Sequence, residues 1–182
     1  MKHIKKIITL LLLMGLFLPS TINANNYITI DKNSIMIPKG ESKAVTISLN
    51  NAAGRLDINQ DDSNIVRLDK EKVFLDQSSE EINIEALNLG STTINISTTD
   101  VNTYDYQEIN NLNYQVNVTV YMEGDINNNG KVNFEDIAIL LRGYLGVEVM
   151  DETNKSIGDI NKNGQIDLFD VIELLKIYLE IN

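Results

Sequence analysis

Several residue types are rare or absent in this 182-residue chain, and each absence removes a class of function. There is no cysteine, which excludes disulfides, thiolate metal ligands and a lipid-anchoring cysteine. The only histidine is His3, so the chain beyond its first residues has no histidine for catalysis or metal ligation. Tryptophan is absent as well, which removes the side chain with the largest stacking surface for sugars.

Positive charge is also scarce. The chain has 15 Lys and Arg residues against 26 Asp and Glu residues, a formal net charge of −11. Three of the lysines lie within the first six residues, so the remainder is more acidic still. Such acidity argues against nucleic acid or an anionic membrane surface as a partner.

The first 24 residues have the composition of a secretory signal peptide. Lys2, Lys5 and Lys6 form a basic start, residues 7–18 form a short apolar core, and small residues lead to a cleavage site after Ala24. The apolar core is too short for a comfortable membrane span. We therefore predict a signal peptide over residues 1–24, a secreted mature chain and no membrane span.

The C-terminal third repeats itself with a period of 34 residues. Aligning residues 124–146 on residues 158–180 gives 11 identities in 23 positions. Each copy begins Gly-Asp-Ile-Asn, continues through Asn-Gly to an Asp, and then has apolar residues at helical spacing. This is the spacing of a twelve-residue calcium loop, with oxygen ligands at positions 1, 3, 5, 7, 9 and 12 and Gly at position 6.

The spacing predicts two EF-hand-like calcium sites, with a backbone carbonyl as the ligand at position 7 and a water-mediated contact possible at position 9. An Asn/Asp/Gly turn before a helix is the alternative for one copy, but two matching copies favour calcium. The ligands expected in the first loop are Asp125, Asn127, Asn129, Lys131, Asn133 and Asp136. Those expected in the second loop are Asp159, Asn161, Asn163, Gln165, Asp167 and Asp170.

The loops depart from the common EF-hand, because position 12 is Asp rather than Glu and a strand-like segment precedes the first loop. With the duplicated loop and helix, the Gly-Asp opening, and Leu-Leu followed by Tyr-Leu in both helices, residues 124–182 resemble a type I dockerin. The resemblance implies a calcium-folded all-α module with two F-hand repeats. It also implies binding to a cohesin domain on a cellulosomal scaffold.

The resemblance places the partner surface at loop positions 10 and 11 and on the following helices. The residues concerned are Phe134, Glu135, Arg142, Leu168, Phe169 and Lys176. Many dockerins have a small hydroxyl pair at positions 10 and 11, so the bulky residues here predict an apolar partner groove. The remaining apolar helix residues recur at helical spacing, and most of them are expected to be core. They are Ile137, Leu140, Leu141, Tyr144, Leu145, Val171, Leu174, Leu175, Tyr178 and Leu179.

Residues 25–122 alternate between apolar and polar side chains in seven short segments, which predicts an antiparallel β-sandwich. The segments begin near residues 27, 34, 44, 64, 81, 92 and 114. Ile37-Pro-Lys-Gly-Glu and Leu89-Gly-Ser-Thr-Thr-Ile94 resemble turns of bacterial immunoglobulin-like group 2 domains. The expected division is a signal peptide (1–24), an immunoglobulin-like sandwich (25–122) and a dockerin-like domain (123–182).

No catalytic set is predicted in the sandwich. Asp57, Asp61 and Asp62 form one acidic group and Glu80 with Glu81 another, and both are interpreted as solvated acidic loops. Tyr104 and Tyr106 are the best candidates for stacking on a sugar, although structural roles are the stronger expectation.

The sequence therefore predicts a non-catalytic, extracellular adaptor in polysaccharide breakdown, attached to a cohesin-bearing scaffold and through it to the cell surface. The sandwich ligand would be a polysaccharide or a protein. One alternative is a calcium-stabilised adhesion or carbohydrate-binding protein without a cohesin partner. Another is a small cellulosomal enzyme or enzyme inhibitor.

Overall fold

The computed structural model describes residues 27–109 and 111–180, so the predicted signal peptide and its cleavage site lie outside the described residues. Nine strands precede three helices within these ranges, and no helix there has the length and apolar character to cross a bilayer. The strands are β1 (Ile28–Ile30), β2 (Ser34–Pro38), β3 (Ser42–Leu49), β4 (Ala52–Gln60), β5 (Val66–Leu68), β6 (Lys72–Asp76), β7 (Ser79–Ala86), β8 (Gly90–Thr103) and β9 (Asn113–Tyr121). The helices are α1 (Phe134–Tyr144), α2 (Glu152–Gly158) and α3 (Leu168–Tyr178).

The strands form two sheets that face each other. The four-stranded sheet has the order β1-β3-β7-β5, and the five-stranded sheet has the order β2-β9-β8-β4-β6. Neighbouring strands are antiparallel except β2 and β9, which run parallel from Ser34 opposite Asn117 to Pro38 opposite Tyr121. The N-terminal region is therefore an all-β sandwich, as its alternating pattern predicts.

The core of the sandwich comes from the inward side chains of both sheets. Ile47 and Ile84 from one sheet and Ile58, Ile96 and Val118 from the other are almost completely buried. Successive strand residues point to opposite faces, so the alternating residues face solvent. This two-residue period explains why so many Thr, Asn and Ser residues separate the buried Ile and Val residues.

Two of the nine strands, β4 and β6, are absent from the sequence prediction. β4 begins with two alanines and a glycine, residue types that weaken a strand signal. β6 contains Val73, Phe74 and Leu75 in succession, and the outward Phe74 masks the alternation because it is apolar but 72% exposed. β4 becomes apparent only through its pairing with β6 and β8, and β6 only through its pairing with β4.

The interpretation of the acidic groups as loops is wrong for three of their members. Asp57 lies in β4, where its carboxylate accepts a hydrogen bond from the Thr99 hydroxyl. Glu80 and Glu81 lie in β7, and Glu80 accepts a hydrogen bond of 2.6 Å from Lys70. Asp57 and Glu80 thus have partners of their own, and Asp57 lies in a different sheet from Glu80 and Glu81.

The C-terminal region contains a helix, α2, that the sequence prediction lacks. Asp151 caps it, and Met150 and Ile157 at its two ends are buried in a cluster with α1 and α3 residues. The α1 and α3 members of this cluster are Ile137, Leu140, Val171 and Leu174. A helix of seven residues gives little periodic signal, so its burial depends on the two longer helices.

Candidate metal-binding loops and helical surface

The two predicted loops have the same helix-start geometry. Asn133 is the N-cap of α1 and Asp167 is the N-cap of α3, and each side chain accepts a 2.7 Å hydrogen bond from the backbone N–H two residues on. Asp136 and Asp170, three residues after these caps, accept a 2.9 Å hydrogen bond from the cap backbone N–H. Each helix therefore starts with a capping box that fixes the position-12 carboxylate at the loop.

The first loop is organised by side-chain oxygens that accept hydrogen bonds from its own backbone. Asp125 accepts from Asn129 N at 3.0 Å and from Gly130 N at 2.7 Å. Asn127 Oδ1 and Asn129 Oδ1 each accept from the backbone two residues on, at 3.1 and 3.0 Å. Asp136 closes the loop, because its Oδ1 accepts from Asn127 N at 3.1 Å.

The second loop repeats this arrangement contact for contact. Asp159 accepts from Asn163 N at 3.0 Å and from Gly164 N at 2.8 Å. Asn161 and Asn163 accept at 3.0 and 2.8 Å, and Asp170 accepts from Asn161 N at 3.2 Å. No matched distance differs by more than about 0.2 Å between the loops, so the sequence repeat is a structural repeat.

The chemistry of the two loops suits a hard cation. Asp125, Asp136 and Asp170 are buried, and within the described residues none of these carboxylates forms an ion pair with Lys or Arg. A buried carboxylate is costly unless it is paired or coordinates a metal. The described residues contain no group of three His, Cys, Asp or Glu side chains close enough to hold a metal, so amide and carbonyl oxygens would have to complete each set.

The expectation that most apolar helix residues are core is confirmed for Ile137, Leu140, Val171 and Leu174 and wrong for the others, which the helices expose. Leu141 and Tyr144 in α1 are 38% and 42% exposed, and the equivalent Leu175 and Tyr178 in α3 are 39% and 43% exposed. Leu168, Ile172, Leu175 and Leu179 follow one another at helical spacing and form an exposed stripe. The signal was present in the sequence, since each helix carries apolar residues on more than one face.

The residues predicted to contact a partner are on this exposed side. Phe134, Leu168 and Phe169 are 66%, 48% and 68% exposed, although large apolar side chains are usually covered. Arg142 pairs with Glu148 at 3.0 Å and Lys176 pairs with Glu173 at 2.7 Å. Both cations therefore lie at the helix surface beside an acidic neighbour.

The sandwich and the C-terminal region meet at the end of β9. Tyr121 is 7% exposed and belongs to the helical cluster, and Met36 of β2 packs against the same cluster. Gly124 N donates a hydrogen bond of 3.2 Å to Ile157 O. Burial raises the pKa of the Tyr121 hydroxyl, and the nearby Glu123 carboxylate adds to this effect.

Lys162 of the second loop lies at this junction. Its Nζ is 3.4 Å from Glu123 and 3.7 Å from Glu41, and these carboxylates raise the pKa of the Lys162 ammonium, Glu123 most strongly. Sequence reasoning did not single out Lys162, because position 4 supplies no ligand. The sequence does distinguish the two loops at position 4, because the first loop has Asn128 where the second has Lys162.

Several solved structures are similar to about half of this chain. They include domains 4 and 5 of the S-layer protein SbsC (19% identity, 51% of this chain and 50% of that chain, TM-score 0.39). They also include the class 5 fimbriae chaperone CfaA (13%, 53% and 57%, TM-score 0.44). A third is SSP-19, an MSP-domain-like protein of Caenorhabditis elegans (15%, 50% and 97%, TM-score 0.40). This chain thus spans about half the length of the SbsC fragment.

No curated protein sequence matches the chain. The family model of the dockerin type I domain matches residues 123–180, which include both loops and all three helices. Dockerin domains of this type are calcium-dependent modules that bind cohesins. Residues 123–180 of this chain are thus similar to the dockerin type I family over both loops and all three helices.

Proposed function

We propose that this chain is a secreted, non-catalytic adaptor whose dockerin attaches the sandwich to a cohesin-bearing scaffold. The observation that carries the proposal is the pair of matching loop and capping-box geometries within the segment that matches the dockerin family. The proposed division is a signal peptide over 1–24, an immunoglobulin-like sandwich over 25–122 and the dockerin over 123–182. The setting would be polysaccharide breakdown outside the cell.

Each loop holds one Ca²⁺ in this proposal. The ligands of the first ion are Asp125, Asn127, Asn129, the Lys131 carbonyl, Asn133 and Asp136. The ligands of the second ion are Asp159, Asn161, Asn163, the Gln165 carbonyl, Asp167 and Asp170. Bound calcium supplies the positive charge that the buried carboxylates lack, and it holds the loops in the form that starts α1 and α3.

The cohesin-facing surface is the exposed apolar side of α1 and α3. Exposed apolar patches on a soluble protein commonly mark interaction sites. The two helices present equivalent residues, but α3 presents more apolar area, because Ile172 replaces Ala138 and Phe169 replaces Glu135. We therefore assign the dominant contact to α3, with Arg142 and Lys176 at the rim.

The direct test is a binding screen of the full chain against an array of cohesin domains, with calcium and with excess chelator. Binding to at least one cohesin in calcium and its loss in chelator are the expected results. A chain that binds two calcium ions but no cohesin would support the adhesion alternative. A chain that binds a cohesin equally well in chelator would contradict the calcium-dependent mechanism.

A carbohydrate-binding role is a second candidate for the sandwich, supported by its exposed aromatic side chains. Phe74 and Tyr106 are 72% and 93% exposed, and Tyr104 donates a hydrogen bond to the Asp76 carboxylate. Aromatic faces of this kind can stack on sugar rings. Affinity electrophoresis in soluble polysaccharides should show retardation that Tyr106→Ala abolishes, and equal mobility in every polysaccharide would remove this candidate.

A further inference from the structure

The second calcium loop is linked to the sandwich through a residue that is not a calcium ligand. Lys162 occupies position 4, and its ammonium group lies between Glu123 at 3.4 Å and Glu41 at 3.7 Å. Glu41 immediately precedes β3, and Glu123 lies two residues after the end of β9. One side chain of the loop therefore contacts Glu41 of the sandwich and Glu123 of the segment that joins the sandwich to the first loop.

Position 4 has a left-handed backbone in both loops, with φ of 55° at Asn128 and 58° at Lys162. Asn adopts this conformation more readily than Lys does. A lysine also places a positive charge within three residues of four predicted calcium ligands. Both local effects disfavour lysine at position 4, so the loop's own conformation does not explain its presence.

The ion pairs of Lys162 lie at a junction where the sandwich and the C-terminal region are also packed together. Tyr121, the last residue of β9, is buried in the helical cluster, and Gly124 N donates to Ile157 O just before the second loop begins. The sandwich and the second loop are thus in contact at both an apolar and a charged part of the same junction. A conformational change in the second loop can therefore act on the sandwich through these contacts and does not need to involve the first loop.

We infer that Lys162 is a positioning residue that couples calcium binding in the second loop to the sandwich through Glu41 and Glu123. The inference rests on the proposed binding of calcium by that loop. Binding couplings are reciprocal, so the sandwich strengthens calcium binding at the second site as much as calcium strengthens the junction. The first loop, with Asn128 at position 4, has no such coupling through this position.

The decisive variant is Lys162→Asn in the full chain, which gives the second loop the first loop's residue at position 4. Without coupling, this change relieves backbone strain and removes a repulsive charge, so calcium binding would tighten. With coupling, we expect one of two calcium sites to weaken by about two- to fivefold, the range for partly exposed ion pairs. Calorimetry measures the affinity, and the stoichiometry is expected to remain two.

Two further variants separate the coupling from a local change in the loop. Glu41→Gln leaves the loop sequence intact and is expected to weaken calcium binding at the same site. The double variant with Glu41→Gln and Lys162→Asn should lose no more calcium affinity than Lys162→Asn alone. Lys155→Gln is the control, because it removes an exposed lysine whose ion pair, with Glu152, lies within α2, and it should leave calcium binding unchanged. The calcium-induced rise in the melting temperature of the strand signal should shrink in Glu41→Gln but not in Lys155→Gln.

Tighter or unchanged calcium binding in Lys162→Asn would overturn the coupling while leaving the proposed calcium sites intact. Additive losses in the double variant would also overturn it, because they would mean that the two residues act independently. A parent chain that binds no calcium is a different outcome, and it would remove the proposed function together with this inference.

Discussion

Asp136 and Asp170, at position 12, are the carboxylates proposed to close the two calcium loops. Asp136 and Asp170 are completely buried, and each accepts one hydrogen bond from its helix cap and one from the residue at position 3. The same side chain therefore serves the helix and the metal loop. The sequence reveals only part of this double role. The spacing predicts the position-12 side chain as a ligand, whereas its capping-box hydrogen bond is seen only in the structure.

We expect Asp136→Ala and Asp170→Ala each to remove one calcium site, because the position-12 carboxylate is lost from the coordination set. Calorimetry of each full-length variant should give one ion bound instead of two. The two variants control for each other, since each retains one intact loop. A stoichiometry of two in either variant would show that the ligand assignment is wrong.

Gly54 is the residue on which the irregular pairing of β4 and β8 depends. Its φ is +157°, and a Cβ added there would lie 2.0 Å from the Asp100 carbonyl oxygen, next to a register shift between the strands. Gly54→Ala should lower the free energy of unfolding by at least about 2 kcal/mol, because strain and a backbone clash act together.

Gly40→Ala is the matched control for Gly54→Ala. Gly40 also has a positive φ, of +86°, but no atom lies within 4 Å of the added Cβ. Gly40→Ala should lower the free energy of unfolding by only about 1 kcal/mol, because only the backbone conformation disfavours alanine there. Chemical denaturation monitored by the strand signal measures both variants, and equal losses would argue against the clash at Gly54.

Helices α1 and α3 are related by the sequence repeat but do not present equal surfaces. Leu168 and Phe169 begin α3 with two exposed apolar side chains, while α1 begins with Phe134 and the charged Glu135. Gly143 in α1 faces Met150, whose Sδ would lie 2.2 Å from an added Cβ. The difference between Gly143 and Ile177 is thus explained by packing and does not require a role in recognition.

Replacing Leu168 and Phe169 by serine should weaken cohesin binding at least roughly thirtyfold, because truncating an apolar anchor often costs about 2 kcal/mol or more. Phe134→Ser is the matched change in the first repeat and should cost less if α3 dominates. Calcium stoichiometry should stay at two in both variants. Parent-like binding by both would place the recognition surface elsewhere, and loss of calcium by both would mean that these residues stabilise the fold.

The elements differ in how far the sequence predicts them. β3, β7 and β9 are clear because buried and exposed residues alternate along them, and α1 and α3 are clear because the repeat marks their starts. β6 was hidden by the exposed Phe74, and α2 was hidden by its short length. The candidate loops followed from spacing, but the junction at Lys162 and Tyr121 did not, since it joins segments far apart in the chain.

At the scale of the whole molecule, two apolar cores meet at the end of β9, where Met36 of β2 also packs against the helical core. The sandwich core contains residues from both sheets, whereas Tyr121 belongs to the helical core. The first core requires no metal, because it consists of buried aliphatic side chains and paired strands. The second is smaller and depends on loops that carry buried carboxylates.

Removal of calcium should therefore affect the two parts of the molecule differently. We expect excess chelator to abolish most of the helical circular dichroism of the full chain while the strand signal persists, because metal binding and folding are coupled only in the C-terminal loops. Magnesium added in place of calcium is a useful control, since it favours octahedral sites with several waters. A helical signal that is unchanged in chelator would contradict this expectation.

The parallel pairing of β2 with β9 has a mechanical consequence. A scaffold tether, as proposed, would pull on β9 from its C-terminal end, and the opposing pull would reach β2 at its N-terminal end through β1, which pairs with β3. Since the two strands run in the same direction over five residue pairs, the opposing pulls act along them and load their hydrogen bonds in shear. The bonds must then yield together rather than one at a time, so the strand that leads into the dockerin is also the one best placed to bear tension.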